Sequence, residues 1–157
     1  MLKVQVKNPN IAKYLENSIK RAKGKEVVIG VLKGTGNYES GDSLVDVATT
    51  HEYGSVTKKI PSRSFLRVPF IQNQKRVDRI IGLAYKSIVK QTATLDKALD
   101  VIGLEARNIS VEAFDDLGGG TWDANSPKTI SSKGSSKPLT DTGRLKQSIQ
   151  WEVRDAT

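Results

Sequence analysis

A periodic apolar stripe near the middle of the chain most constrains what this sequence can fold into. From Leu95 to Leu117 the apolar residues step by four and three positions, so at 3.6 residues per turn they share one helix face over about six turns. The members of the stripe are Leu95, Leu99, Ile102, Ala106, Ile109, Ala113 and Leu117. Thr94 is a natural N-cap, and Gly118-Gly119-Gly120 stops the pattern. We therefore predict a long helix at about 94–117 whose stripe is buried, in particular at Leu99, Ile102, Ala106 and Ile109.

Shorter patterns before the stripe predict two further helices and a strand. Asn8-Pro9 is a typical N-cap and first helical residue, and Gly24 can close that helix. The β-branched run 26–32 predicts a strand that is covered on both faces. Asp42 or Ser43 can cap a short helix after the Gly-rich loop 34–42.

The segment 60–90 predicts an irregular stretch followed by a helix. Residues 60–70 mix prolines with Phe65 and Phe70, which favours an irregular segment anchored by its aromatic rings. A helix follows at about 73–90, with Ile81 among the residues that we expect inside and Arg76 among the basic residues outside. This basic helix could pair with the acidic helix after it, or face that helix across a subunit boundary.

The C-terminal third begins with a stretch that cannot build a core of its own. Residues 118–138 are rich in Gly, Ser and Lys, so we expect a flexible excursion from a single domain spanning 1–157. Trp122 lies in this stretch and either packs back on the domain or anchors on a partner, as Lys133 and Lys137 also could. Asp141 or Thr142 then caps a short helix containing Leu145 and Ile149, and the alternation from Ile149 to Val153 predicts a final strand.

Charge is segregated along the chain. The net charge is +8 over 157 residues, but its sign changes by segment: residues 34–57 carry four acids and no Lys or Arg, whereas residues 58–91 carry nine Lys or Arg against one Asp. A DNA-binding domain usually gathers its bases on one face, whereas alternating segments suit pieces that dock on one another or on copies of themselves. A basic nucleic-acid-binding module remains the alternative interpretation, with a nuclease behind it.

No catalytic or cofactor-binding constellation is recognisable in the residues. The chain has no Cys and one His, which excludes disulfides, thiolate metal sites and cysteine nucleophiles and favours folding in a reducing cytoplasm. His51-Glu52 is followed by Ser55 where a zinc-protease helix needs its second His, and the loop 34–42 lacks the Gly-Lys-Ser/Thr ending of a phosphate cradle. We expect no enzyme, no metal, no cofactor and no membrane span.

Two segments resemble a known family. The first is HEYGS followed after four residues by IPSRSFLR, residues 51–67, and the second is SPKTISSKGSSKPLTDTGRLKQSIQWEV, residues 126–153. Together they resemble the neck and tail-completion proteins of tailed bacteriophages, the virion-morphogenesis group that carries E-[FY]-G, P-x-R-x-F and L-x-D-T-G-x-L stretches. The motif residues singled out are Glu52, Tyr53, Gly54, Pro61, Arg63, Phe65, Asp141, Thr142, Gly143 and Leu145. In many relatives the Thr-Gly-x-Leu segment comes first, whereas here it comes second, which puts the strand order in doubt.

The resemblance implies an α+β domain with a small antiparallel sheet packed against helices. It also implies a structural virion protein at the head–tail junction, assembled in the host cytoplasm. Copies of the chain, with six as the expected number, would form a ring between the head connector or adaptor proteins and the tail tube or tail terminator proteins. Genomic DNA would pass through the channel.

Overall fold

The long helix lies at the centre of the fold. The computed structural model describes residues 9–32 and 34–156. Helix α5 runs from Leu95 to Asp115, and the Thr94 side chain accepts a hydrogen bond from the backbone N–H of Lys97, so the predicted helix and its cap are confirmed. Both strands, the preceding helix and a short helix before that one all pack against α5.

The other elements surround α5 in chain order. They are α1 (Pro9–Ala22), β1 (Lys25–Val31), α2 (Leu44–Tyr53), α3 (Arg67–Gln72), α4 (Gln74–Val89), α6 (Leu117–Gly120), α7 (Pro127–Lys133), α8 (Arg144–Gln147) and β2 (Ile149–Asp155). Ser43 caps α2 by accepting the N–H of Asp46, which decides between the two predicted caps. The predicted cap at Asn8 lies outside the described residues. Across the described ranges no helix is long and apolar enough to cross a membrane.

The sheet has two antiparallel strands, one that follows α1 and one that follows α8. β1 pairs with β2 in a register that runs from Lys25 opposite Asp155 to Val31 opposite Ile149. Trp151 of β2 lies directly against Gly103 of α5, where an added Cβ would be 2.0 Å from the indole. The α+β class with a small antiparallel sheet against helices is therefore observed. The side chains of β1 are mostly half-buried, so the predicted cover on both faces is incomplete.

The buried surface of α5 differs from the predicted stripe. Its buried residues are Leu95, Ala98, Gly103, Ile109, Ser110, Ala113 and Phe114. Leu99, Ile102 and Ala106 are only half-buried. The prediction of a buried position is therefore wrong for three of the four stripe residues expected in the core. The physical reason is that both strands and helices α3 and α4 pack against different sides of α5. Buried residues are therefore spread over more of the helix circumference than the single predicted stripe.

Helices α4 and α5 pair within one chain through a shared arginine. The Arg76 guanidinium donates from Nε to Glu105 at 2.6 Å and from Nη2 to Glu112 at 3.0 Å. These hydrogen bonds raise the pKa of Arg76 and lower that of Glu105. Arg76 is thus turned towards α5 rather than outward, and Ile81, predicted to face inward, is 47% exposed. The basic helix and the acidic helix therefore pair within one chain, which is the first of the two predicted arrangements.

Candidate functional site

A buried carboxylate joins the two halves of the first motif. Glu52 is 4% exposed in the last turn of α2, although the C-terminal end of a helix disfavours negative charge. Its oxygens accept four hydrogen bonds, from the Ser64 hydroxyl at 2.6 Å and from the backbone N–H groups of Phe65, Leu66 and Arg67 at 2.9, 3.0 and 3.0 Å. These amides open α3, so Glu52 acts as an N-terminal cap supplied from another helix.

Gly54 allows the chain to turn back towards this carboxylate. Its φ of 77° lies in the left-handed region, and an added Cβ would be 2.9 Å from the backbone nitrogen of Ser62. After it, Ser55 and Ile60 exchange backbone hydrogen bonds of 2.8 and 2.9 Å, closing a small loop. Pro61 then leads the chain into the segment that Glu52 holds.

Tyr53 and Phe65 of the same motif have opposite environments. Tyr53 is 65% exposed, and the Arg67 guanidinium lies over its ring at 5.3 Å. Phe65 is fully buried, and its carbonyl oxygen accepts the hydroxyl of Ser110 on α5 at 2.7 Å. Phe65 therefore fastens the loop to the central helix, while Tyr53 stays on the surface.

Arg63 connects the first motif to the Gly/Ser/Lys-rich stretch. It is 6% exposed and donates from Nε to the carbonyl oxygen of Asp123 at 3.0 Å and from Nη2 to that of Ala124 at 3.1 Å. Burial lowers the pKa of Arg63, and nearby Asp123 offsets part of that effect. The arginine of the P-S-R-S-F segment thus binds main-chain carbonyls of the segment leading into the second motif.

Trp122 packs back on the domain, which is the first of the two alternatives. Its ring meets Phe114 edge-on at 5.6 Å, and Phe114 in turn contacts Phe65 at 5.2 Å. The Trp122 side chain is 9% exposed, so it belongs to the core of the subunit instead of offering an anchor to a partner. The predicted flexibility of residues 118–138 in the free protein stays a prediction, although a turn at α6 and helix α7 lie within the stretch.

The second motif folds around a left-handed glycine. Gly143 has φ 73° and occupies the N-cap of α8, while the Thr142 hydroxyl accepts the N–H of Arg144 at 3.4 Å. Asp141 is exposed and makes no cap contact, so the cap lies later than Asp141. Leu145 is buried, and Ile149 belongs to β2 rather than to the helix.

The two motifs border one cleft, which we call the basic cleft. Its volume is about 380 Å³. The lining residues are His51, Lys59, Ile60, Pro61, Arg63, Ala124, Asn125, Ser126, Thr129, Lys133 and Leu139. Three of these carry positive charge and none is acidic. Lys137 lies elsewhere, with its ammonium 3.8 Å from Asp115.

His51 is the chemically unusual residue of the basic cleft. Its Nδ1 is buried and has no hydrogen-bond partner among the described residues. Burial, and after it the charges of Arg63 and Lys133, lowers the pKa of His51 from 6.5 to about 4. The sequence patterns drew attention to His51 but did not single out Lys59 and Asn125, because the approach of these two residues to Lys133 depends on the path of residues 121–139.

The basic cleft surrounds an accessible cavity with positive charge. Within residues 9–32 and 34–156 no group of three His, Cys, Asp or Glu side chains is placed to hold a metal ion. Arg63 already donates to main-chain carbonyls, so Lys59 and Lys133 are the cations of the cleft that can bind an anionic group. No protein-family model, curated protein or solved structure matches the chain.

Proposed function

We propose that this chain is a structural virion protein of the phage head–tail interface, a neck or tail-completion protein. It would form a ring that joins the head connector to the tail and surrounds the DNA channel. The observation that carries the proposal is the structural role of the motif residues. Glu52, Gly54, Arg63 and Gly143 each serve backbone geometry or loop anchoring, which is the role expected of a scaffold motif.

Exposed apolar side chains on the paired helices α4 and α5 support assembly. Leu83 and Tyr85 on α4 are 53% and 62% exposed, and Val101 and Leu104 on α5 are 49% and 45% exposed. Helices α4 and α5 pack against each other, so these exposed side chains belong to one helix pair. Large exposed apolar side chains on such a pair are candidates for burial in an assembly.

The experiment is to determine the mass of the purified protein under native conditions and to locate it in intact particles by electron microscopy. We expect a closed ring in solution or on the connector, and density for it between head and tail. Leu83→Glu should prevent ring formation without lowering the melting temperature, whereas Lys75→Glu, an exposed change on the same helix, should not. A strictly monomeric protein that is absent from the particles would refute the proposal.

A basic nucleic-acid-binding module is the second candidate. Four exposed basic residues favour it, namely Lys75, Arg79 and Lys86 on α4 and Lys90 at its C-cap. Such a module would bind short duplex DNA with an affinity that falls steeply with salt, in proportion to the phosphates contacted. Binding of that kind by the free monomer, without ring formation, would favour this candidate over the first.

A further inference from the structure

The basic cleft has a chemical complement elsewhere on the same chain. Residues 37–46 form a loop that continues into the first turn of α2, and we call this segment the acidic loop. It carries Glu39, Asp42 and Asp46, all exposed. In the described part of the chain neither Glu39 nor Asp46 forms an ion pair. One surface thus presents carboxylates, and the other presents Lys59, Arg63 and Lys133 around a cavity.

The acidic loop is held in shape before any partner arrives. The backbone N–H of Tyr38 donates to the Asp42 carbonyl at 2.8 Å, and that of Gly41 donates to the Tyr38 carbonyl at 3.0 Å. The Tyr38 ring lies 5.9 Å from the guanidinium of Arg144. A preformed turn loses little conformational entropy when it docks, which favours its insertion into a cleft on a partner.

The two surfaces lie at opposite ends of one short helix. Ser43, within the acidic loop, caps the start of α2, and His51 in the last turn of α2 borders the basic cleft. His51 lies eight residues after Ser43, which corresponds to about 12 Å along the helix axis. A chain cannot fold its own loop into its own cleft across a rigid helix, so contact between the two surfaces requires a second copy.

From this geometry we propose that the basic cleft of one subunit binds the acidic loop of the adjacent copy. Such a contact joins two different surfaces, and repeated head-to-tail contacts of this kind generate rings when the rotation closes. The apolar walls of the cleft at Ile60, Pro61 and Leu139 suit a peptide turn better than a DNA backbone. The inference deepens the proposed function by naming the subunit contact.

Charge exchange between the two surfaces tests the contact. One variant carries Glu39→Lys and Asp46→Lys, another carries Lys59→Glu and Lys133→Glu, and a third carries all four changes. Either double variant should weaken self-association at least about tenfold, and the fourfold variant should restore it. The matched control is Lys58→Glu with Lys128→Glu, neighbours of the cleft lysines that do not line the cavity. Unchanged association of both double variants would overturn the inference.

A second measurement stays informative if a charge variant fails to fold. The chain has one His, so its imidazole resonances report the cleft without ambiguity. A synthetic peptide of residues 37–48 should raise the pKa of His51 from about 4, because a bound carboxylate compensates the cations Arg63 and Lys133 around it. Inorganic phosphate and a short DNA duplex are the comparison probes. No shift with the peptide, or tighter binding of the duplex than of the peptide, would overturn the inference.

Failure of this contact is distinguishable from failure of the proposed function. If both double variants still form rings in virions, the proposed contact is wrong and the neck function stands. If ring formation depends on these charges but the protein is absent from virions, the contact stands and the neck function is wrong.

Discussion

Trp122 donates its indole N–H to the backbone carbonyl oxygen of Ser64 at 3.2 Å, across 58 positions of the chain. The approach depends on Gly118, where a Cβ would lie 2.3 Å from the indole nitrogen. Leu117 and the three glycines that follow all have φ between 57° and 76°, so the backbone makes a left-handed turn after α5. The glycine triplet therefore does more than stop the helix: it brings the tryptophan back onto the core.

Replacing Trp122 by Ala should destabilise the monomer by about 3–5 kcal/mol, since a buried aromatic ring is lost and the Ser64 carbonyl loses its donor. Chemical unfolding with a fluorescence-independent probe such as circular dichroism measures this. Tyr53→Ala removes an aromatic ring that is 65% exposed and should change the unfolding free energy by less than about 1 kcal/mol. Equal effects of the two changes would show that Trp122 is not part of the core in solution.

Replacing Glu52 by Gln should destabilise the fold by about 3 kcal/mol, because the amide nitrogen would face backbone N–H donors that a carboxylate satisfies. Glu39→Gln, at an exposed position, is the control and should have little effect. Urea denaturation of both variants provides the comparison. We also expect faster amide exchange at residues 65–67 in the Glu52 variant, where the lost acceptors are located.

Two glycine-to-alanine changes should have opposite signs. At Gly103 the new methyl group would overlap the Trp151 ring, so we expect a loss of about 1–3 kcal/mol. At Gly82 in α4 nothing lies within 4 Å of the added Cβ, and the higher helix propensity of Ala should add about 0.5–1 kcal/mol. Thermal unfolding measures both, and a stabilised Gly103→Ala protein would contradict the packing of β2 on α5.

His51 should make the protein less stable as the pH falls. The pKa of His51 is about 4 in the folded chain and 6.5 without the fold, so between these values only the unfolded chain binds the proton. Stability is therefore full above about pH 6.5 and should fall by about 2 kcal/mol between pH 7 and pH 5. His51→Gln should remove this part of the pH dependence in urea titrations. A wild-type protein with the same profile as the variant would contradict the low pKa.

The sequence by itself determined the elements whose signals are local. Helix α5 with its Thr94 cap, the Ser43 cap and the alternation of β2 follow from spacing and side-chain type, because capping and periodicity act within a few residues. Absence of Cys and the single His likewise limited the chemistry before any fold was known.

Only the tertiary structure decided which faces are buried and which distant residues meet. The half-buried Leu99, Ile102 and Ala106, the burial of Gly103 under Trp151 and the inward turn of Arg76 depend on what packs against each helix. The basic cleft forms because the hydrogen bonds of Arg63 and Trp122 hold residues 121–139 near the end of α2. These contacts join residues about 60 positions apart. Their energies depend on the whole fold, and no local pattern encodes them.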